Sequence, residues 1–278
     1  MSNNSGSATA IGRSRLPPRP KEWPPKHIPD FGLWLWRFRE HRNYTQSELA
    51  RRANCSSSLV RQIETTNHPP LRKTVNHLAR ALDLDASQTR HLIELWYPAT
   101  DLTPVAHLRR RFIAAGGLNT LEYYERQGIR AMAHTYHWDV LAANNSARRL
   151  MPGLDEADGN YLLWTFSDHG RETIVGWEHE APQLTAAALA MFARHRDSPE
   201  TQRLYTKMRR IPYFSGQMTE SISLAYGCQP DELIHRLDKG VDHPISMSTL
   251  TADHLGTGDV FLTCAFEHAY SGPATRSL

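Results

Sequence analysis

Apolar residues recur through the first hundred positions with the spacing of helices. Phe31, Trp34, Leu35 and Phe38 stand at i, i+3, i+4 and i+7, which places them on one face of a helix from Phe31 to Arg42. Trp36 lies off that face. A second helix opens at Thr45, a hydroxyl cap with Glu48 three residues later to complete a capping box. Leu49, Ala50 and Ala53 form its apolar side. Asn54 then marks a sharp reversal, because Asn is the non-glycine residue that best tolerates the left-handed conformation. Cys55 is a small apolar plug, and Ser56 caps a third helix with Leu59, Val60 and Ile63 inward. Asn67-His68-Pro69-Pro70 breaks the chain. Val75, Leu78, Ala79 and Leu82 predict a fourth helix, and Ala86 to Trp96, with Leu92, Ile93 and Trp96, a fifth.

Tyr97 to Pro104 reads as a domain boundary, followed by a helical stretch from Val105 to Arg126 interrupted at Gly116-Gly117. From about Met132 the period changes. Tyr136, Trp138, Val140 and Ala142 alternate with Thr135, His137, Asp139 and Leu141, a strand signal that ends at Asn144-Asn145. Ala147 to Met151 predicts a short helix, while Leu162 to Phe166 fits either a helix or a strand. Pro182 to His195 is an apolar helix and Gln202 to Arg209 continues helical. Ile245 to Leu250 and Asp259 to His268 predict two strands, with Gly256-Thr257-Gly258 in the turn. A strand, then helices, then a closing hairpin describes an α+β domain after an all-α one.

The third helix shows Ser57, Ser58, Arg61, Gln62 and Thr65 on its other face. That face is short, polar and uncharged apart from one arginine, which suits a DNA major groove where hydroxyls, amides and a guanidinium read base edges. The charge distribution agrees. Residues 1–98 hold 15 Lys and Arg against 8 Asp and Glu, whereas residues 99–278 hold 17 against 21. A basic front half and a mildly acidic back half fit a DNA-binding module joined to something that does not bind DNA. Residues 1–30 are Ser/Asn/Gly-rich, then Pro-rich and basic, and are expected to be largely extended or disordered. Their five basic residues suit a non-specific phosphate arm or an ordinary solvated tail. Arg72 and Lys73 near a helix N-terminus are candidate phosphate contacts. Arg109-Arg110-Arg111 reads as a solvated face or a further DNA contact.

The stretch from Tyr44 to Thr66 resembles the helix-turn-helix of Xre (lambda-repressor-like) regulators, through Gln46, Ala50, Asn54, Val60 and Ile63. Five helices over residues 31–98 make up the whole of such a domain. A second resemblance covers roughly 130 to 270. Trp138 and Asn144, then Asn160, Trp164 and Phe166, then Gly176-Trp177-Glu178, then His243-Pro244 resemble the ligand-binding domain of MmyB-like regulators. That resemblance implies a PAS-like α+β domain over 131–278, reached through a linker and connecting helix over 99–130. It also implies a small hydrophobic ligand, with fatty acids the leading suggestion.

Catalytic and metal patterns are missing. No GxSxG, Walker or GxGxxG motif is present. His134 and His137, three apart on a strand, point to opposite faces and do not converge on a metal. Cys55, Cys228 and Cys264 are odd in number and without CxxC spacing, which suggests a reducing compartment with no disulfide framework and no structural zinc. No apolar run is long enough to cross a membrane, and the start of the chain lacks a signal pattern, so a cytoplasmic protein is expected.

The expectation is therefore a non-enzymatic regulator without a cofactor. It binds double-stranded DNA as a homodimer through Gln46, Ser56, Ser57, Ser58, Arg61, Gln62, Thr65, Arg72 and Lys73. Tyr136, Trp138, Trp164, Phe166, Met191 and Phe192 are candidates either to line a ligand cavity or to build a solid core. In the second case the C-terminal half is a protein-interaction module.

Overall fold

The computed structural model describes residue 25 and residues 27–66, 68–174, 176–226, 233–237, 244–253 and 258–268. Most of the N-terminal arm, Asn67, His243, Cys228 and the turn at Gly256-Thr257 lie outside them.

The N-terminal half is helical. Helix α1 (Phe31–His41) starts at Asp30, whose carboxylate accepts from Leu33 N at 2.9 Å. Helix α2 (Gln46–Arg52) has the expected capping box: Glu48 N donates to the Thr45 hydroxyl, and Thr45 N to Glu48. Asn54 turns the chain at φ 51°. Helix α3 (Ser57–Thr66) begins with Leu59 N on the Ser56 hydroxyl at 3.2 Å. Helices α4 (Arg72–Ala81) and α5 (Ala86–Trp96) follow, the latter with a second capping box between Asp85 and Gln88. Phe38, Leu49, Val60, Ile63, Val75, Leu78 and Leu92 are all fully buried between these helices. Leu59, Ile93 and Trp96, expected as inward positions, are only half-buried; Leu95 takes the inner place on α5.

The helical stretch after the boundary divides into α6 (Val105–Ala114) and α7 (Gly117–Arg126). Gly116 adopts φ 78°, and a Cβ on Gly117 would stand 2.4 Å from the Phe112 ring, so both glycines are required at this corner. The single strand expected around Met132 to Ala142 is instead a hairpin. Strand β1 (Arg130–Thr135) and strand β2 (Val140–Ala143) pair antiparallel, with Trp138 between them at φ 66°. The Thr135 hydroxyl makes the reversal: it accepts from His137 N and Asp139 N and donates to the Asp139 carboxylate. That local side-chain turn overrides the alternating pattern.

Helices α8 (Asn145–Arg149) and α9 (Tyr161–Thr165) come next, the latter resolving the choice at Leu162 to Phe166 as a helix. Then come α10 (Asp168–Thr173) and α11 (Trp177–Arg194), the latter five residues longer at its start than its apolar pattern suggests. Pro182 lies within its first two turns. Helices α12 (Pro199–Met208) and α13 (Pro212–Glu220) complete the set. Strands β3 (Leu233–Leu237), β4 (Pro244–Asp253) and β5 (Val260–His268) close an antiparallel sheet in the order β2-β1-β5-β4-β3.

Alternation along β1 separates two cores. Ala131 and Ala133 join Leu108, Phe112 and Leu121 of α6 and α7, with Val260, Leu262 and Cys264 of β5. Met132 faces the opposite, larger core formed with α8, α9, α11, α12 and α13. That larger core runs without a break into the N-terminal helices, where Phe31, Trp34 and Leu95 belong to the same cluster. An all-α N-terminal part and an α+β C-terminal part agree with the expected fold class.

Candidate nucleic-acid interface and ligand-binding region

The third helix presents a clean division. Val60 and Ile63 are fully buried, while Ser56, Ser57, Ser58, Arg61, Gln62 and Thr65 are all exposed. The Thr65 hydroxyl donates to Arg61 O at 2.8 Å, so toward a DNA partner it acts as an acceptor. Gln46 is half-buried and donates through Nε2 to Glu64 at 2.8 Å. Arg72 lies over the Trp96 and Tyr97 rings, its guanidinium 5.3 and 5.6 Å from their centroids, and Lys73 beside it is exposed. Stacking fixes Arg72 in place without using its donors.

Beneath this face lies a charge cluster that helical spacing did not reveal. Arg39 of α1 is fully buried and bonds Glu64, Glu40 and the Tyr44 carbonyl. Burial works against its charge, but the carboxylates of Glu64 and Glu40 outweigh burial and hold the guanidinium above its usual range. Glu64 thus ties the end of α3 to α1 and, through Gln46, to the start of α2. The arrangement fixes the angle at which the polar face of α3 is presented.

In the C-terminal part the six aromatic and Met candidates separate. Trp138 lies 6.0 Å from Tyr161, and Tyr161 5.5 Å from Trp164, ring centre to ring centre. Phe166 packs instead against Trp177, Tyr213 and Phe214. Phe192 meets Tyr205 at 5.5 Å, next to Met191 on α11. Tyr136 stands with His137, His195 and Phe261. Trp164, Phe166, Met191 and Phe192 are buried; Tyr136 and Trp138 are half-buried. The indole donors are satisfied internally, Trp164 on Pro152 O at 2.7 Å and Trp177 on Thr165 O at 2.8 Å.

The histidines around Tyr136 were not singled out from the sequence as a group. His137 lies in the hairpin turn rather than on the strand, and its Nε2 contacts the Thr201 hydroxyl at 3.1 Å. Its Nδ1 is buried with no hydrogen-bond partner among the described residues. Burial, and then neighbouring His195, push its pKa down to about 3. His134 turns elsewhere, to Thr263 at 2.9 Å, and burial lowers it to about 4. Both rings are therefore neutral near pH 7. Among the described residues no three His, Cys, Asp or Glu side chains come together as a metal site. The Asp139 carboxyl is raised by burial, although Asn160 and Thr135 bond it. The environment is largely apolar, with the guanidinium of Arg194 over the Tyr136 ring at 5.8 Å and that of Arg171 over the Trp177 ring at 4.4 Å.

Of the arginine run, Arg109 donates to the Leu141 and Val140 carbonyls and so fastens α6 to β2, while Arg110 is exposed. Arg111 stands 3.8 Å from Asp259.

Comparison with known proteins agrees with this division. A family model described as a helix-turn-helix domain matches residues 30–92. A second, described as the MmyB-like transcription regulator ligand binding domain, matches residues 127–260. No curated protein matches the chain. Among the described residues no helix is long and apolar enough to cross a membrane. The matched families are those of regulators, not enzymes. The chain is a DNA-binding transcription regulator in which a helix-turn-helix domain is joined to an MmyB-like ligand-binding domain.

Proposed function

We propose that this regulator is of the Xre type and binds double-stranded DNA as a cytoplasmic homodimer, with α3 in the major groove. A small hydrophobic ligand, a fatty acid foremost, changes that binding from the C-terminal domain. The division of α3 into a buried aliphatic side and an exposed side of Ser, Arg, Gln and Thr carries this reading. The working domain limits are 31–98 for the DNA-binding domain, 99–130 for the connection and 131–278 for the ligand-binding domain, with residues 1–30 as a basic arm.

Arg61 is the residue for a guanine, since it alone on that side can make a bidentate base contact through a guanidinium. Ser56, Ser57, Ser58, Gln62 and Thr65 accompany it, and Gln46, Arg72 and Lys73 position the domain on phosphates. One small domain makes few contacts, so two copies on two half-sites are needed for a stable complex. The ligand acts by favouring one of two arrangements of the C-terminal domain, which requires different affinity for each. Selection of bound duplexes from a random pool tests the DNA half of this reading: wild-type protein enriches a two-fold symmetric sequence and Arg61→Ala loses the preference.

The complete burial of Trp164 and Phe192 favours a second reading, in which the C-terminal domain has a solid core and responds to a protein partner. Mass spectrometry of an organic extract of the purified protein separates the two. A stoichiometric amphiphile supports the ligand reading, and an empty extract favours the second.

A further inference from the structure

Residues 221–226 form an irregular strap between the ligand-binding core and the back of the DNA-binding domain. On one side Ala225 N donates to Ala186 O of α11 at 3.2 Å. On the other side Arg37 of α1 donates to Ser221 O, and Gln88 Nε2 of α5 reaches Ile222 O at 3.4 Å. The Tyr226 hydroxyl donates to Glu94 of α5 at 3.0 Å. Its one proton is thereby used, so at 3.1 Å from His91 Nδ1 it accepts from that ring. Arg90 covers the Tyr226 ring at 4.1 Å, and Trp34 of α1 meets the His91 ring edge-on at 4.7 Å. Leu224 is buried, and Ile222 and Tyr226 pack on the main core.

The far end of α11 holds the boundary segment that follows α5. Thr100 N donates to Arg194 O at 3.0 Å, and Thr100 O accepts from His195 Nδ1 at 2.9 Å. Arg196, just beyond the helix, donates to Tyr97 O at 2.8 Å. Between these attachments α11 carries Met191 and Phe192 into the core of the ligand-binding domain.

We infer that α11, with the strap it holds at Ala186 and the boundary segment it holds at Arg194, is the element that transmits the state of the C-terminal core to α1 and α5 of the DNA-binding domain. This rests on the reading that the C-terminal domain regulates DNA binding. Its physical content is narrower, namely that a change at Met191 alters the strap and α5, and a change at the strap alters α11. A coupling free energy is reciprocal, so both directions must show it. The positions involved are far apart in sequence, and what joins them is continuous packing and hydrogen bonding rather than nearness.

Backbone hydrogen exchange on the full chain at fixed pH tests this without ligand or DNA. Met191→Ala is expected to speed exchange of the strap and α5 by about fivefold or more, and Tyr226→Phe to do the same along α11 near Met191. Exchange of β1 and β5 serves as the control for global loss of structure, and Met191→Leu restores the wild-type pattern. If the Met191→Ala effect stops within the C-terminal core, or the Tyr226→Phe effect stops at α5, the inference is overturned. Should Met191→Ala fail to fold, Tyr226→Phe alone decides by the same criterion. An empty organic extract bears on the ligand reading and leaves this exchange result standing.

Discussion

Arg39 grips Glu64 through two parallel N–H···O bonds, Nε to Oε1 at 2.7 Å and Nη2 to Oε2 at 2.9 Å, with both side chains almost fully buried. The pair joins α1 to the end of α3, and Gln46 completes it from α2. Planar, two-point geometry fixes direction as well as distance, so α3 has little freedom to tilt. Glu64→Gln replaces the two-point carboxylate partner of buried Arg39 by a neutral amide and leaves Glu40 as its remaining carboxylate. The expected loss is about 1.5–3 kcal/mol of stability. Chemical denaturation followed by tryptophan fluorescence measures it, and a loss below about 1 kcal/mol, the range of exposed pairs, would show the pair to be ornamental.

Arg61 and Lys73 are expected to fail in different ways. Arg61→Ala costs about 1–3 kcal/mol of discrimination at one base pair and relaxes specificity there. Lys73→Ala weakens binding to all sequences alike and lowers the salt slope by about 1. Titrations of a selected duplex and a scrambled one, at several salt concentrations, separate these outcomes.

Four buried histidines, His91, His134, His137 and His195, make stability depend on pH. Burial pushes His91 and His137 down to about 3 and His134 to about 4, from an ordinary 6.5. The unfolded chain therefore binds protons on these rings below pH 6.5 while the folded chain does not. Stability is full above pH 6.5 and falls as the pH drops toward 4, by at most about 1.4 kcal/mol per pH unit for each ring. Asp139, raised by burial, works in the opposite sense at the acid end of that window. Thermal unfolding between pH 7.5 and 4.5 checks the slope, and His91→Phe should flatten it by one ring's share.

Phe192→Ala opens space beside Tyr205, in a region where both rings are fully buried. Its expected cost is about 3–5 kcal/mol. Under the ligand reading the same variant also loses any amphiphile that co-purifies with the wild-type protein. Organic extraction of both proteins provides the comparison.

Much of the DNA-binding half was legible because its signals are local. Thr45 and Glu48, Asn54 and Ser56 act within four residues of themselves, and each is found in its expected conformation. Asn54→Gly is correspondingly expected to be tolerated, while Asn54→Ala costs about 1 kcal/mol or more for its left-handed backbone. The C-terminal half was legible only in its strongly periodic pieces. The hairpin at Thr135 to Asp139 was hidden because an aromatic residue at positive φ continues the alternation of a strand. Helix α10, with the sequence DHGRET, carries no apolar stripe and forms because Ser167 caps it against the core. Arg39 and Glu64 stand 25 residues apart, on two different helices. The contact of His91 with Tyr226 spans 135 residues and no local pattern announces it. Which aromatic residues are neighbours, as Trp138 and Trp164 are through Tyr161, is likewise a property of the tertiary fold.

Under the proposed function, a small apolar molecule in the C-terminal domain alters DNA binding by α3. The most direct measurement is the affinity of full-length protein, stripped of lipid, for its selected duplex with and without saturating palmitate. A change in Kd of about fivefold or more is expected, lost together with sequence preference in Arg61→Ala. An unchanged Kd while palmitate is shown bound to the protein would contradict it.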